Sequence, residues 1–203
     1  MRKIVVLCLV SVVLMSCVGI DSKLTIKDDG SGTLRLDYHV SQLVTELGTT
    51  SSEKGVVPLP LARADFERSL QASNGKVRLT KFRRTENEKD ITISAELAFD
   101  SIDALAQTEA FRDAELKLSA EEGRHTFSQV IAHAPAQAVT EDTLRMIDAF
   151  FDGYNLTFVI DAPQPMRESV LGSLSADRRT LTYTTSVKDV MRARNDIVLS
   201  AGW

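Results

Sequence analysis

Residues 34–40 read Leu-Arg-Leu-Asp-Tyr-His-Val, and this strict alternation constrains the chain more than any other feature. Apolar side chains at every second position suit a strand with one buried face and one wet face. Leu24 and Ile26 alternate in the same way just upstream, and Asp28-Asp29-Gly30-Ser31-Gly32 separates the two runs. Period-two runs joined by Gly-rich turn chemistry predict an antiparallel hairpin. The pattern recurs along the chain. Val77 and Leu79 face Ile91, Ile93, Ala95, Leu97 and Phe99 across the polar run 85–90, and Leu116 and Leu118 face 126–131 across Ala120-Glu121-Glu122-Gly123. Leu156, Phe158 and Ile160 match Leu181, Tyr183, Thr185 and Val187, with a turn at Ser175–Arg178, and 197–199 offers a last strand.

Helical spacing falls between the hairpins. Pro60 precedes the segment 62–73, whose Ala62, Phe66, Leu70 and Ser73 form one stripe, and Asn74-Gly75 closes it. A short helix is expected over 101–111. Thr140 is an N-cap with Glu141 and Asp142 in the first turn, Val139 and Leu144 in staple positions, and Gly153 at the end. Ser186-Val187-Lys188-Asp189 is expected to cap a final short helix over Val190–Arg194. The expected fold is α+β: a curved, mostly antiparallel sheet of hairpins with three or four helices packed on one side. No glycine-rich nucleotide loop in a βαβ context is present. Residues 22–203 carry no repeat or long linker and are read as one domain.

The first residues have a different character. Met1-Arg2-Lys3 leads into an apolar run from Ile4 to Leu14, the layout of a secretory signal. At ~1.5 Å per helical residue that run covers roughly half of a ~30 Å hydrocarbon layer, too little for a stable span. Leu14-Met15-Ser16-Cys17 is similar to the cleavage site of bacterial lipoproteins. The expectation is a signal peptide over 1–16 that is removed, lipidation of Cys17, and a short tether over 17–21. Cys8 leaves with the signal, so Cys17 is the one cysteine of the mature chain and no internal disulfide can form. An extended chain reaches ~3.3–3.6 Å per residue, which keeps the domain within about 20 Å of its anchor. The expected location is exported and lipid-anchored to a bacterial cell membrane, on its periplasmic or surface side.

Charge narrows the partners. Without Arg2 and Lys3, 22 basic residues remain against 28 acidic ones, a formal net charge of −6. Arg83-Arg84 and Arg178-Arg179 are the longest basic runs, so nucleic acid is disfavoured as a partner. Membrane attachment then rests on acyl chains. A homodimer is compatible with the composition. No cofactor is implied.

Few residues suggest chemistry. His39, His125 and His133 are the only histidines, and their spacing matches no metal-ligand pattern. Each is a candidate general base only if a serine and a carboxylate meet it in space. The Asp28–Thr33 turn lacks the spaced oxygen ligands and closing glutamate of a calcium loop. There is no G-x-S-x-G nucleophile elbow, and the S-x-x-K string at Ser51–Lys54 sits in a polar loop. The segment 48–61 is more informative, because a polar half is followed by Val56-Val57-Pro58-Leu59-Pro60-Leu61. Loops of this length are commonly functional. Val56, Val57, Leu59 and Leu61 are therefore candidate contacts for an apolar ligand, or alternatively dock on the helix that follows.

A cysteine followed almost at once by a strand, a D-G-S-G-type turn and a second strand (Cys17–Val40) resembles the LppM-like family of bacterial envelope lipoproteins. Ala95–Leu105 and Phe158-Val159-Ile160-Asp161-Ala162-Pro163 with Leu181-Thr182-Tyr183 add to it, Tyr183 standing where that family would carry a tryptophan. The cysteine box, with Met15, is also similar to those of spirochaetal lipoproteins. The resemblance implies an α+β domain with a strongly curved sheet, linked to lipid binding, and carries over no catalytic residue. The leading expectation is a membrane-anchored lipoprotein whose domain binds apolar ligand, lipid by class, in a groove between sheet and helices. A phospholipase-like hydrolase using one of the three histidines in the same groove is the alternative. A structural or adhesive surface lipoprotein is the third.

Overall fold

The computed structural model describes residues 19–42, 59–134, 140–142, 144–145 and 153–203. The first predicted hairpin is present as β1 (Gly19–Ile26) and β2 (Gly32–Ser41), in register from Ile20 opposite Tyr38 to Ile26 opposite Gly32. Asp29 ties its turn, accepting from the Ser31 backbone N–H at 2.9 Å and the Ser31 hydroxyl at 2.7 Å. Gly32 is required by close approach. A Cβ there would lie 2.0 Å from the Thr25 carbonyl oxygen and 2.6 Å from the Phe99 ring.

β3 (Val77–Glu86) and β4 (Asp90–Phe99) form the second hairpin, and β4 pairs along its whole length with β2. β4 buries Ile91, Ile93, Ala95, Leu97 and Phe99, every second residue. β3 departs from plain alternation. The register slips between Leu79 and Lys81, where Thr80 bulges and its hydroxyl donates to the Glu96 carbonyl at 2.9 Å. One extra residue moves the following side chains to the other face. Phe82 therefore joins the core beside Val77 and Leu79.

The third hairpin is β5 (Lys117–Glu121) with β6 (Arg124–Ala132). β7 (Asn155–Asp161) pairs with β10 (Thr180–Ser186), as the sequence predicts, and also runs parallel to β1. Short β8 (Glu168–Val170) and β9 (Ser173–Leu174) precede β10, and β11 (Ile197–Gly202) joins β6 and β8. The strands divide between two mostly antiparallel sheets, in the orders β3-β4-β2-β1-β7-β10-β9 and β5-β6-β11-β8. Short helices complete an α+β fold.

Helix α1 (Arg63–Leu70) begins where the Asp65 carboxylate accepts from the Ala62 N–H at 3.0 Å, and a 3-10 turn (Gln71–Ser73) follows it. The stretch expected as one helix over 101–111 is two pieces, α2 (Ile102–Ala106) and a 3-10 segment (Glu109–Ala114). Between them Thr108 is fully buried and its hydroxyl donates to the Leu105 carbonyl at 2.8 Å. That bond offers the backbone an alternative to continuing the helix. α3 (Val187–Arg192) starts at Ser186, whose hydroxyl oxygen accepts from the Asp189 N–H at 3.0 Å. At Thr140, the Leu144 N–H donates to the Thr140 carbonyl at 2.9 Å. Residues 141, 142, 144 and 145 of that predicted helix are helical, whereas 143 and 146–152, with Val139, lie outside the described residues.

One apolar core joins the inward strand residues, Phe66 and Leu70 of α1, Ile102 and Leu105 of α2, and Phe127, Leu199 and Trp203 of the smaller sheet. The polar positions of the large sheet carry a row of charge, Lys81, Glu96, Arg35 and Lys23 standing opposite one another in register, with the like-charged Arg35 and Lys23 each finding an acidic partner elsewhere, Asp37 and Asp161. Lys81 meets Glu96 at 2.9 Å and Lys23 reaches Asp161 at 2.8 Å. Such exposed pairs contribute little individually but reinforce strand register.

Candidate functional site

A cavity of about 340 Å³ lies where the large sheet, α1, the 3-10 segment and the end of β6 meet. The sheet supplies Ile20 and Ser22 from β1, Leu36 and Tyr38 from β2, Leu97 from β4, and Leu156 and Phe158 from β7. Phe66 and Leu70 come from α1, Phe111 and Ala114 from the 3-10 segment, and Val130 to His133 from the end of β6 and just beyond it. The volume falls at the lower end of the roughly 300–1,000 Å³ of small-molecule sites.

Ser22 explains part of the opening. The inward positions of β1 are Ile20, Ser22, Leu24 and Ile26, so one small residue interrupts an otherwise branched aliphatic row. Ser22 stands opposite Leu36 on one side and Phe158 on the other. Both are only partly buried, although they point toward the core. A larger side chain at that position would close the gap between them.

Tyr38, Ser69 and His133 of the lining spend their polar side-chain atoms on the protein itself. The Tyr38 hydroxyl donates to the Pro60 carbonyl, which fastens Leu59 and Pro60 to the sheet, and burial pushes the Tyr38 phenol well above its ordinary pKa. The Ser69 hydroxyl donates to the Phe66 carbonyl at 2.8 Å. Among the described residues no buried side-chain nitrogen or oxygen lacks a partner. The walls are thus chiefly hydrocarbon, interrupted by the side chains of Ser22, Gln129 and Asp113. A surface of this kind accepts an apolar molecule and offers little to a charged one.

Of the residues singled out from sequence, Leu59 lines the cavity, while Leu61 packs against the core without lining it. Val56, Val57 and Cys17 lie outside the described residues. The three histidines are not brought together. His39 stands opposite Thr92 on the polar face of β2, away from the inward Tyr38 and Val40. His125 stacks on Trp203 with ring centroids 6.0 Å apart and an interplanar angle of 15°. The backbones of those two residues exchange hydrogen bonds of 3.0 and 2.9 Å, and neither residue lines the apolar cavity.

His133 alone of the three reaches the cavity. Its Nε2 lies 3.0 Å from the Asp113 carbonyl oxygen and its Nδ1 3.5 Å from an Asp196 carboxylate oxygen. With both ring nitrogens engaged, the imidazole directs no free lone pair at a substrate. No group of three or more potential metal ligands occurs among the described residues. Among the same residues, no helix is long and apolar enough to cross a membrane. Ile20, Ser22, Leu36, Leu156 and Phe158 were not distinguishable from ordinary core positions by alternation. The serine breaking the β1 row is the sequence signal that marks them.

No protein-family profile matches the chain, and no curated protein matches it. Among solved structures it is similar to the NMR structure of the folded domain of LppM from Mycobacterium tuberculosis, with 11% sequence identity and a TM-score of 0.46. The likeness covers 91% of this chain and 88% of that one.

Proposed function

We propose that this protein is an envelope lipoprotein whose domain holds an apolar ligand, lipid by chemical class, in the cavity between the large sheet and the helical segments. The observation that carries the reading is the lining itself: walls that are mostly aliphatic and aromatic, with few polar side chains among them. The N-terminal sequence adds position. Cys17 precedes Ile20 by three residues, and Ile20 is part of the cavity wall. An extended chain of that length spans about 11 Å at most. A lipid on Cys17 would thus hold the cavity close to the headgroups, where a membrane lipid could enter without crossing much water.

The test begins with the full chain produced in a bacterium and purified from membranes. Chloroform–methanol extraction followed by mass spectrometry separates non-covalent lipid from the protein-linked acyl chains. Stoichiometric non-covalent lipid, with no fatty acid released from added phosphatidylcholine vesicles, is the expected result. Fatty acid release that follows the protein through purification and disappears in His133→Ala would replace binding with hydrolysis. A protein free of non-covalent lipid that takes none from vesicles would overturn the reading.

A further inference from the structure

The contacts of His133 reach beyond the cavity lining. The residue follows β6, and its ring bridges two other parts of the chain: Asp113 at the end of the 3-10 segment and Asp196 just ahead of β11. Both partners present acceptor oxygens. A neutral imidazole carries one N–H, so in either tautomer a lone pair would face an oxygen. Only the imidazolium donates to both. The second Asp196 oxygen accepts from the Ala134 N–H at 2.7 Å, which holds the carboxylate in place independently of the ring.

The surroundings favour the charged form. The Asp113 carbonyl is the largest influence raising the His133 pKa above its ordinary value, followed by the hydrogen bond and charge of Asp196 and by the charge of Glu115. Partial desolvation acts the other way. The groups facing the ring from the 3-10 end and from the approach to β11 are thus acidic or carbonyl. The charge of Glu115 is shared with Lys117, which pairs with it at 3.2 Å.

The segments joined in this way are two walls of the cavity, Phe111 and Ala114 on one and Ile131 and Ala132 on the other. We infer that His133 is a pH-operated clasp, which ties the 3-10 segment at Asp113 to the approach to β11 at Asp196 while its ring is charged, and keeps only one of the two ties when the ring loses its proton, so that the cavity wall loosens. A raised folded pKa fixes the direction. The clasp is fully engaged below the ordinary imidazole value of about 6.5, and is lost as pH rises through the higher folded value. The inference concerns access to the cavity and rests on the proposed function only in treating that access as useful.

Its test needs no ligand. In the full chain, Ser22→Cys places a thiol on the cavity floor, and its rate of labelling by N-ethylmaleimide reports access. Comparing Ser22→Cys with Ser22→Cys/His133→Gln at each pH cancels the intrinsic pH dependence of the thiol. At pH 6 the histidine protein should label roughly twofold to fivefold more slowly, the range set by an exposed ion pair. By pH 9 the two rates should converge. Hydrogen exchange of residues 109–115, read as the same ratio, should follow the same curve. Asp196→Asn, which keeps an acceptor for Ala134, should move convergence to lower pH. Equal rates at pH 6, or a difference that persists unchanged to pH 9, would overturn the clasp. Absence of non-covalent lipid would overturn the binding reading and leave these ratios unaffected.

Discussion

Replacing Ser22 with leucine should make the protein more stable and less able to bind. The serine sits in the inward row of β1, opposite Leu36 and Phe158, and all three line the cavity. Leucine adds three carbon groups and removes a hydroxyl at a position already facing hydrocarbon. At ~0.8 kcal/mol per buried methylene, the gain is about 2 kcal/mol before any strain. The surrounding side chains need not move far, because the added volume is small beside the roughly 340 Å³ of open space. Equilibrium urea denaturation of lipid-free protein reads the change. With a slope of about 2 kcal/mol per molar, the midpoint should rise by about 1 M at unchanged slope. Non-covalent lipid content should fall in the same preparation. A midpoint lowered by overpacking would mean that the space at Ser22 is already filled. Undiminished lipid in a stabilised variant would mean that ligand sits elsewhere.

Other substitutions probe the frame around the site. Phe66→Ala removes a ring that is 2% exposed and packs edge-on against Phe82 at 5.7 Å, and should cost about 3–5 kcal/mol in denaturant unfolding. Gly32→Ala puts a methyl group 2.0 Å from the Thr25 carbonyl oxygen, a contact that flexible side chains cannot relieve. It should lower stability by about 1–3 kcal/mol, read from the shift in denaturation midpoint. Cys17→Ser should shift the protein out of the membrane fraction on cell fractionation, without changing the thermal midpoint of the domain.

The hairpins were legible because each depends on neighbouring residues. Alternation in β2 and β4 specifies which side chains face inward, and the Asp-Gly-Ser-Gly turn specifies that the chain reverses. What escaped has no local signature. Phe82 faces the core only because Thr80 bulges, and counting every second residue from Val77 assigns it to solvent. The parallel pairing of β1 with β7 joins segments far apart in the chain and is set by the core they share. The division of the strands into two sheets is equally non-local. The cavity follows the same logic: its walls come from seven separate segments, and only Leu59 and His133 among their residues were sequence candidates. His133 was visible as a histidine in a loop, whereas its meaning depends on Asp113 and Asp196, which chain folding brings to it.

The central claim is that the apolar cavity holds a ligand. Isotope-filtered nuclear Overhauser spectra test it most directly, with uniformly ¹³C-labelled oleate added to unlabelled, lipid-free protein. Cross-peaks should connect acyl-chain protons with the rings of Phe66, Phe111 and Phe158 and the methyl groups of Leu36, and Ser22→Leu should abolish them. Cross-peaks confined to the exposed Val170 and Leu171, or none at all, would contradict it.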